Sequence, residues 1–374
     1  MMIPVNSPDV NQADIERVAE DLRLGRLSGS TVTITGLELA LAAHVGTAHA
    51  VAVANGSCAL DLACEVAGVG PGDEVVLPTL TIVSCLAPIL RRGARPVFVD
   101  ASPSDWNMDL DQVVSSVGPR TRAIIAVHTY GLGLDIPTLR ERLGERPPYI
   151  IEDAAEALGV FVRNRPCGSL GDVAIHSFYA NKVITGGEGG ALTLEDYETA
   201  EDLRALRNLD FGAIERFRHE RAAWNFRMSS LQGALIHSQL DRIQMFLEHR
   251  RQVGLRYREQ LSHLPGLEFQ PLTNSVSENG HWVVAVTTGA NTGVTGEMMR
   301  SRLAEEGIET RALFAPLHRQ PVLARFGFSD QETRPVAESL YARGLYLPCG
   351  NGISFDSVDK VCSAVDRVYY EVFS

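Results

Sequence analysis

The stretch Ala50-Val51-Ala52-Val53-Ala54-Asn55-Gly56-Ser57-Cys58-Ala59-Leu60-Asp61-Leu62-Ala63-Cys64-Glu65-Val66-Ala67 changes character at its middle. Residues 50–54 are a short apolar run that reads as a strand. Residues 57–67 read as an amphipathic helix. Asn55-Gly56 between them is a turn signal, and Ser57 is a candidate helix cap. The same alternation continues downstream. Strand-like runs at Glu74–Leu77, Pro96–Val99, Ala123–Val127 and Tyr149–Ile151 alternate with helix-like runs at Ile82–Arg92, Asp109–Val117 and Ile136–Leu143. This predicts an α/β fold with a mainly parallel central sheet covered by helices.

After Ile151 the pattern changes. Residues 159–170 read as a hairpin, and Val173–Phe178 and Gly190–Leu194 as strands flanking a Gly-rich turn. Ser229–Leu261 reads as one long helix. The residues after Pro265 mix strand-like and helix-like runs, including His281–Thr287 and Ser357–Phe373. We place a large domain at residues 1–240 and a smaller α+β C-terminal domain at 241–374.

Composition narrows the function. The chain has 374 residues, a formal net charge of −12 and 45% hydrophobic residues. That is ample for a core and wrong for a disordered chain. The acidic balance argues against nucleic acid or an anionic membrane as partner. No apolar run approaches the roughly 18 residues of a membrane span, and the first residues lack a secretory signal. The 6 cysteines show no Cys-x-x-Cys. They read as reduced thiols of a cytoplasmic protein, with no metal site.

Of 34 basic residues only two are lysines, Lys182 and Lys360. Arginine stays protonated, whereas a lysine amine can lose its proton and attack a carbonyl. Lys360 lies in a plain helix-like context. Lys182 does not.

Three segments carry chemistry. The turn at Gly56-Ser57 opens a helix, where backbone N–H groups and a hydroxyl suit a phosphate. Ile150-Ile151-Glu152-Asp153-Ala154-Ala155-Glu156 puts acids at the end of a buried strand, where ligands of α/β sheets bind. Ser177-Phe178-Tyr179-Ala180-Asn181-Lys182 runs into Thr185-Gly186-Gly187-Glu188-Gly189-Gly190. Taken singly these are an N-cap, helix-start acids and an ordinary turn. Together, an amine, a strand-end acid and phosphate donors suit pyridoxal phosphate.

The sequence resembles the DegT/DnrJ/EryC1/StrS sugar aminotransferases over nearly its whole length. The resemblance rests on Asn55-Gly56-Ser57, Gly72-Asp73-Glu74-Val75, Val127-His128-Thr129-Tyr130-Gly131, Glu152-Asp153-Ala154-Ala155, Gly168-Ser169-Leu170-Gly171-Asp172, Lys182, Gly187-Glu188-Gly189-Gly190 and Asn225-Phe226-Arg227-Met228-Ser229. It implies an aspartate aminotransferase-like fold, pyridoxal 5'-phosphate as cofactor and a homodimer with shared sites. By resemblance, Lys182 forms the Schiff base and moves the proton, and Asp153 pairs with the pyridine nitrogen. Ala155 packs on the ring. Gly56, Ser57 and Ser177 hold the phosphate, and Asn225 reaches the phosphate of the other subunit's cofactor. Glu156 replaces a common Gln beside the phenolic oxygen. We expect a raised pKa for it and a proton shared with that oxygen. Ile82 stands where an aromatic often stacks and offers only apolar contact.

The implied reaction takes an amino group from L-glutamate to a nucleotide-linked keto-sugar. Trp106-Asn107-Met108-Asp109, Asn181-Lys182 and Glu309-Thr310-Arg311 with Pro316-Leu317-His318 are similar to the branch that aminates C4 of GDP-4-keto-6-deoxymannose. Arg311 and His318 are candidate substrate residues. The alternatives are a dTDP-linked keto-hexose, a keto-cyclitol, or a non-catalytic regulator that binds the cofactor or a sugar. A dehydratase of the same fold would carry histidine in place of Lys182.

Overall fold

In the structure, a computed structural model, residues 2–211, 215–290 and 292–373 are described. Nine strands precede residue 200: β1 (His49–Val53), β2 (Glu74–Pro78), β3 (Arg95–Val99), β4 (Thr121–Val127), β5 (Tyr149–Asp153), β6 (Phe161–Val162), β7 (Arg165–Pro166), β8 (Val173–Ser177) and β9 (Gly190–Leu194). Seven of them form one sheet in the order β1-β9-β8-β5-β4-β2-β3, with β6 and β7 a separate hairpin. Only β9 runs against its neighbours. Helices lie between the parallel strands, as the alternation requires. Strands β4 and β5 are nearly continuous apolar runs because helices cover both faces.

Alternation along β5 sends its two acids to opposite faces. Glu152 accepts from His128 Nε2 at 2.9 Å and from the N–H groups of Gly168, Leu170 and Gly171 at 2.5, 2.7 and 2.9 Å. Its lone pairs are spent holding a loop. His128 Nδ1 lies 2.9 Å from the Leu134 N–H, which donates to it, and Nε2 faces Glu152. Asp153, one residue on, faces the other way.

Four antiparallel strands form a second sheet, β10 (Glu268–Phe269), β11 (Val284–Thr287), β12 (Arg311–Ala312) and β13 (Gly344–Leu347), in the order β10-β11-β13-β12. The start of the chain returns to this half. Ile3 bridges Ile308, and the Cys349 N–H donates to the Val5 carbonyl at 3.0 Å. No helix among the described residues is long and apolar enough to cross a membrane.

Two expectations need correction. The single helix over Ser229–Leu261 is two, Ser230–Leu240 and Ile243–Leu261. Tertiary bonds override helix propensity at the break. Gln239 is bound both ways to the Thr185 backbone, each at 3.0 Å, and Arg242 donates to Asp14 at 2.5 Å. The strand placed at His281–Thr287 begins only at Val284, because His281 has φ +50° and cannot continue a strand. Helices Gln12–Arg23 and Val32–Val45 were not anticipated.

Gly190 shows why the Gly-rich turn ends as it does. It pairs with Val53 on one side and Ser177 on the other. The chain leaving β1 folds directly over it. A Cβ on Gly190 would sit 2.4 Å from the Asn55 carbonyl carbon and 2.7 Å from the Gly56 nitrogen. Backbone cannot step aside as a flexible side chain can. We expect Gly190→Ala to destabilise the fold by about 1–3 kcal/mol, read as a lower urea midpoint at unchanged slope.

Candidate active site

The ends of β4, β5 and β8 and the start of helix Gly56–Val66 open onto one cavity of about 490 Å³. This is the crevice beyond the carboxyl ends of the strands. Gly56, Ser57, Ile82, Asp153, Ala155 and Glu156 line it, and so do Ser177 and Lys182. Eight of the eleven residues singled out from sequence are therefore together. They come from positions 56 to 182.

One end is built for an anion. Asn55, and not Ser57 as expected, caps the helix by accepting from the Cys58 N–H at 2.9 Å, because the helix already begins at Gly56. The dipole and the free N–H groups of the first turn point at the cavity. Ser57 Oγ lies 2.8 Å from Ser84 Oγ, and Ser177 lies alongside. A Cβ on Gly56 would come within 3.1 Å of Ser177 Cβ, so glycine lets the helix start close against β8.

Asp153 marks the other end. It is 4% exposed and forms no ion pair among the described residues. Its Oδ1 accepts from the Ala155 N–H at 3.0 Å, and its Oδ2 from the Cys85 thiol at 3.2 Å. Burial pushes its carboxyl above the ordinary aspartate value. A buried carboxylate without a cation is costly. A protonated pyridine ring would complete it.

Lys182 faces Glu156. Its Nζ lies 3.7 Å from Glu156 Oε1 and 3.8 Å from the centre of the Trp282 ring. Glu156 Oε2 also accepts from the Tyr130 N–H at 2.8 Å. Burial pushes Glu156 up to about 7 and Lys182 below the ordinary lysine value. Both shifts favour neutral partners, which suits an amine that must give and take a proton near neutral pH. Glu156 in turn raises Lys182. We expect Glu156→Gln to lower the Lys182 midpoint, measured by NMR of lysine labelled at Cε. The stability sign is also fixed. An acid of raised pKa costs stability as pH rises from about 4.5 to about 7. Glu156→Gln removes that slope from the unfolding free energy.

Three candidates lie elsewhere. His318 is buried with its Nδ1 2.6 Å from Thr79 Oγ1 and its Nε2 2.9 Å from Glu338 Oε1. Both ring nitrogens are occupied, so it braces the loop after residue 313 and offers nothing to the cavity. Arg311 is exposed, pairs with Glu309 at 2.7 Å, and lies across the strand from the cavity residue Tyr346. Asn225 is exposed beside Asn208 and does not line the cavity of its own chain.

Sequence reasoning missed the far wall. Trp282, Phe314 and Tyr346 supply the aromatic surface that Ile82 cannot. Tyr130 stacks behind Trp282 and Phe314 at centroid distances of 6.3 and 5.2 Å. No local signal links Trp282 to Lys182. Cys85 was also missed, although it stands one helical turn after Ile82.

The cavity thus fits pyridoxal phosphate. An anion seat, a buried acid and a lysine line one space, and the acid lacks the cation that the ring would bring.

A family model described as the DegT/DnrJ/EryC1/StrS aminotransferase family matches residues 8–366. A GDP-perosamine synthase of Caulobacter vibrioides is 34% identical over 366 residues, covering 98% of each chain. A dTDP-3-amino-3,4,6-trideoxy-alpha-D-glucose transaminase of Streptomyces venezuelae is 34% identical over 335 residues, covering 89% of this chain and 86% of its own. The crystal structure of an aminotransferase, TlmJ, from Streptoalloteichus hindustanus superposes with a TM-score of 0.93 at 31% identity, covering 100% of both chains.

Proposed function

The chain belongs to the DegT/DnrJ/EryC1/StrS aminotransferase family and is a pyridoxal-phosphate-dependent sugar aminotransferase; from that premise we propose that it carries an amino group from L-glutamate to C4 of GDP-4-keto-6-deoxymannose. The observation that carries the chemistry is Lys182. It lines the cavity and faces a buried acid there, whereas Lys360, the other lysine, is exposed. The choice of sugar is supported by GDP-perosamine synthases from three organisms, 30–34% identical over 98% of this chain.

Bound pyridoxal phosphate supplies an electron sink that acidifies the carbon bearing the transferred nitrogen. The chain's own residues do the rest. The helix start, Ser57 and Ser177 would hold the phosphate. Asp153, which forms no ion pair among the described residues, would keep the ring nitrogen protonated. Lys182 Nζ is the base that would take a proton from the donor carbon in one half-reaction and, in the other, the acid that would give a proton to the sugar carbon. Glu156 holds that amine's charge state near balance. The aromatic wall excludes water and gives the sugar an apolar face.

The proposed assembly is a homodimer with shared sites. Ile82 and Tyr179 at the cavity are 46% and 49% exposed in one chain, and the exposed Asn225 is free to reach the partner's cavity.

The test is product mass from purified enzyme with pyridoxal phosphate, glutamate and either GDP-4-keto-6-deoxymannose or a dTDP-4-keto-6-deoxyhexose. A GDP-amino-sugar from wild type but not from Lys182→Ala supports the proposal. An amino-sugar from the dTDP compound alone overturns the GDP assignment and keeps the aminotransferase.

A further inference from the structure

The segment carrying Lys182 has no regular strand or helix between β8 and β9. Four of its consecutive carbonyls nevertheless accept from side chains. Ala180 accepts from Asn6 Nδ2 at 3.0 Å and Asn181 from Trp282 Nε1 at 3.1 Å. Lys182 accepts from Arg250 Nη2 at 3.3 Å and Val183 from Asn351 Nδ2 at 2.7 Å. None of these donors comes from the seven-stranded sheet or its connections. Asn6 lies in the N-terminal segment that returns to the second sheet. Arg250 is on helix Ile243–Leu261, and Trp282 and Asn351 flank strands of the second sheet.

Arg250 is the centre of this group. It is fully buried and forms no ion pair among the described residues. Its Nε donates to Asn351 Oδ1 at 2.6 Å and its Nη1 to the Trp282 carbonyl at 2.7 Å. One guanidinium fork therefore grips the backbones of both Lys182 and Trp282. The Lys182 amine rests on the Trp282 ring, 3.8 Å from its centre. Burying an unpaired cation is costly, and a simple apolar side chain would fill the space without that cost. Only a planar fork reaches three acceptors at once.

We propose that Arg250 and Asn351 are positioning residues that hold the Lys182 segment and Trp282 in one frame, and so seat the free Lys182 amine on the Trp282 face beside Glu156. Residues outside the seven-stranded sheet, rather than the sheet that supplies Asp153, then decide where the lysine stands. An error of about 1 Å in such a group costs on the order of 10²-fold in rate. The inference rests on Lys182 being the reacting lysine.

A chain with two lysines makes the test direct. Full-length enzyme labelled with ¹³C at lysine Cε and loaded with pyridoxamine 5'-phosphate shows two lysine signals, assigned with Lys360→Arg. The native Lys182 signal is expected to be shifted by the Trp282 ring current away from that of Lys360. Coincident signals would overturn the proposal without any variant. Asn351→Leu and Arg250→Gln are expected to move the Lys182 signal toward the Lys360 position. They are also expected to lower kcat at least about tenfold with the KM for glutamate little changed. A folded, cofactor-binding variant of either kind with native signal and native kcat would overturn it. Replacing the ligand by pyridoxal phosphate separates the premise. If the native Lys182 signal does not respond, the assignment of Lys182 as reacting lysine has failed, whatever Arg250 does.

Discussion

Lys182→Ala is expected to lower kcat by about 10⁴-fold or more, because the variant loses both the group that moves the proton and the amine that binds the cofactor. Its local frame should survive. The four carbonyls of residues 180–183 keep their donors, since those bonds involve backbone acceptors and not the lysine side chain. Thermal stability should therefore stay close to native. Lys182→Arg keeps the length and charge but stays protonated, and should be as inactive as the alanine variant. Borohydride treatment of the enzyme with pyridoxal phosphate should link the cofactor to the native chain and not to either variant. Lys360→Ala, changing an exposed residue, should behave as wild type. A Lys182→Ala enzyme within tenfold of native would sink the assignment.

Asp153→Asn is expected to lower kcat by on the order of 10²–10³-fold, with the shape of the site intact. The Ala155 N–H still finds an oxygen, and the cavity keeps its volume. Only the charge opposite the ring nitrogen is gone. The stability effect has the opposite sign. Burial raises the Asp153 pKa in the folded protein, so ionised Asp153 costs stability in the cofactor-free chain once the pH exceeds the unfolded value. Asn removes that cost. Cofactor-free Asp153→Asn should then unfold at or above the native temperature at pH 8, while the gain in unfolding temperature on adding cofactor shrinks. An inactive variant that is also unstable would point to a structural role instead.

How much of this was legible in the chain can be argued residue by residue. The strand–turn–helix at residues 50–67 is local and periodic, and it folds as β1 and helix Gly56–Val66. Lys182 stood out because the chain uses arginine nearly everywhere else, and Asp153 because it ends a buried strand. Both acids of Glu152-Asp153 were candidates until alternation along β5 sent Glu152 to a loop and Asp153 to the cavity. His318 had a plausible setting, yet Thr79 and Glu338 occupy its ring.

By itself, then, the sequence determined the parallel α/β core, because that depends on neighbours a few residues apart and on the period of the pattern, and it singled out Lys182 and Asp153 as candidates. Tertiary structure alone decided the rest. The break at Asp241–Arg242 depends on Thr185 and Asp14, the aromatic wall on residues a hundred or more positions from Lys182, and the seat of the lysine on Arg250 and Asn351. Such choices are made by hydrogen bonds that a loop without regular structure must find somewhere. Nothing in the order of residues along the chain says which distant side chain will supply them.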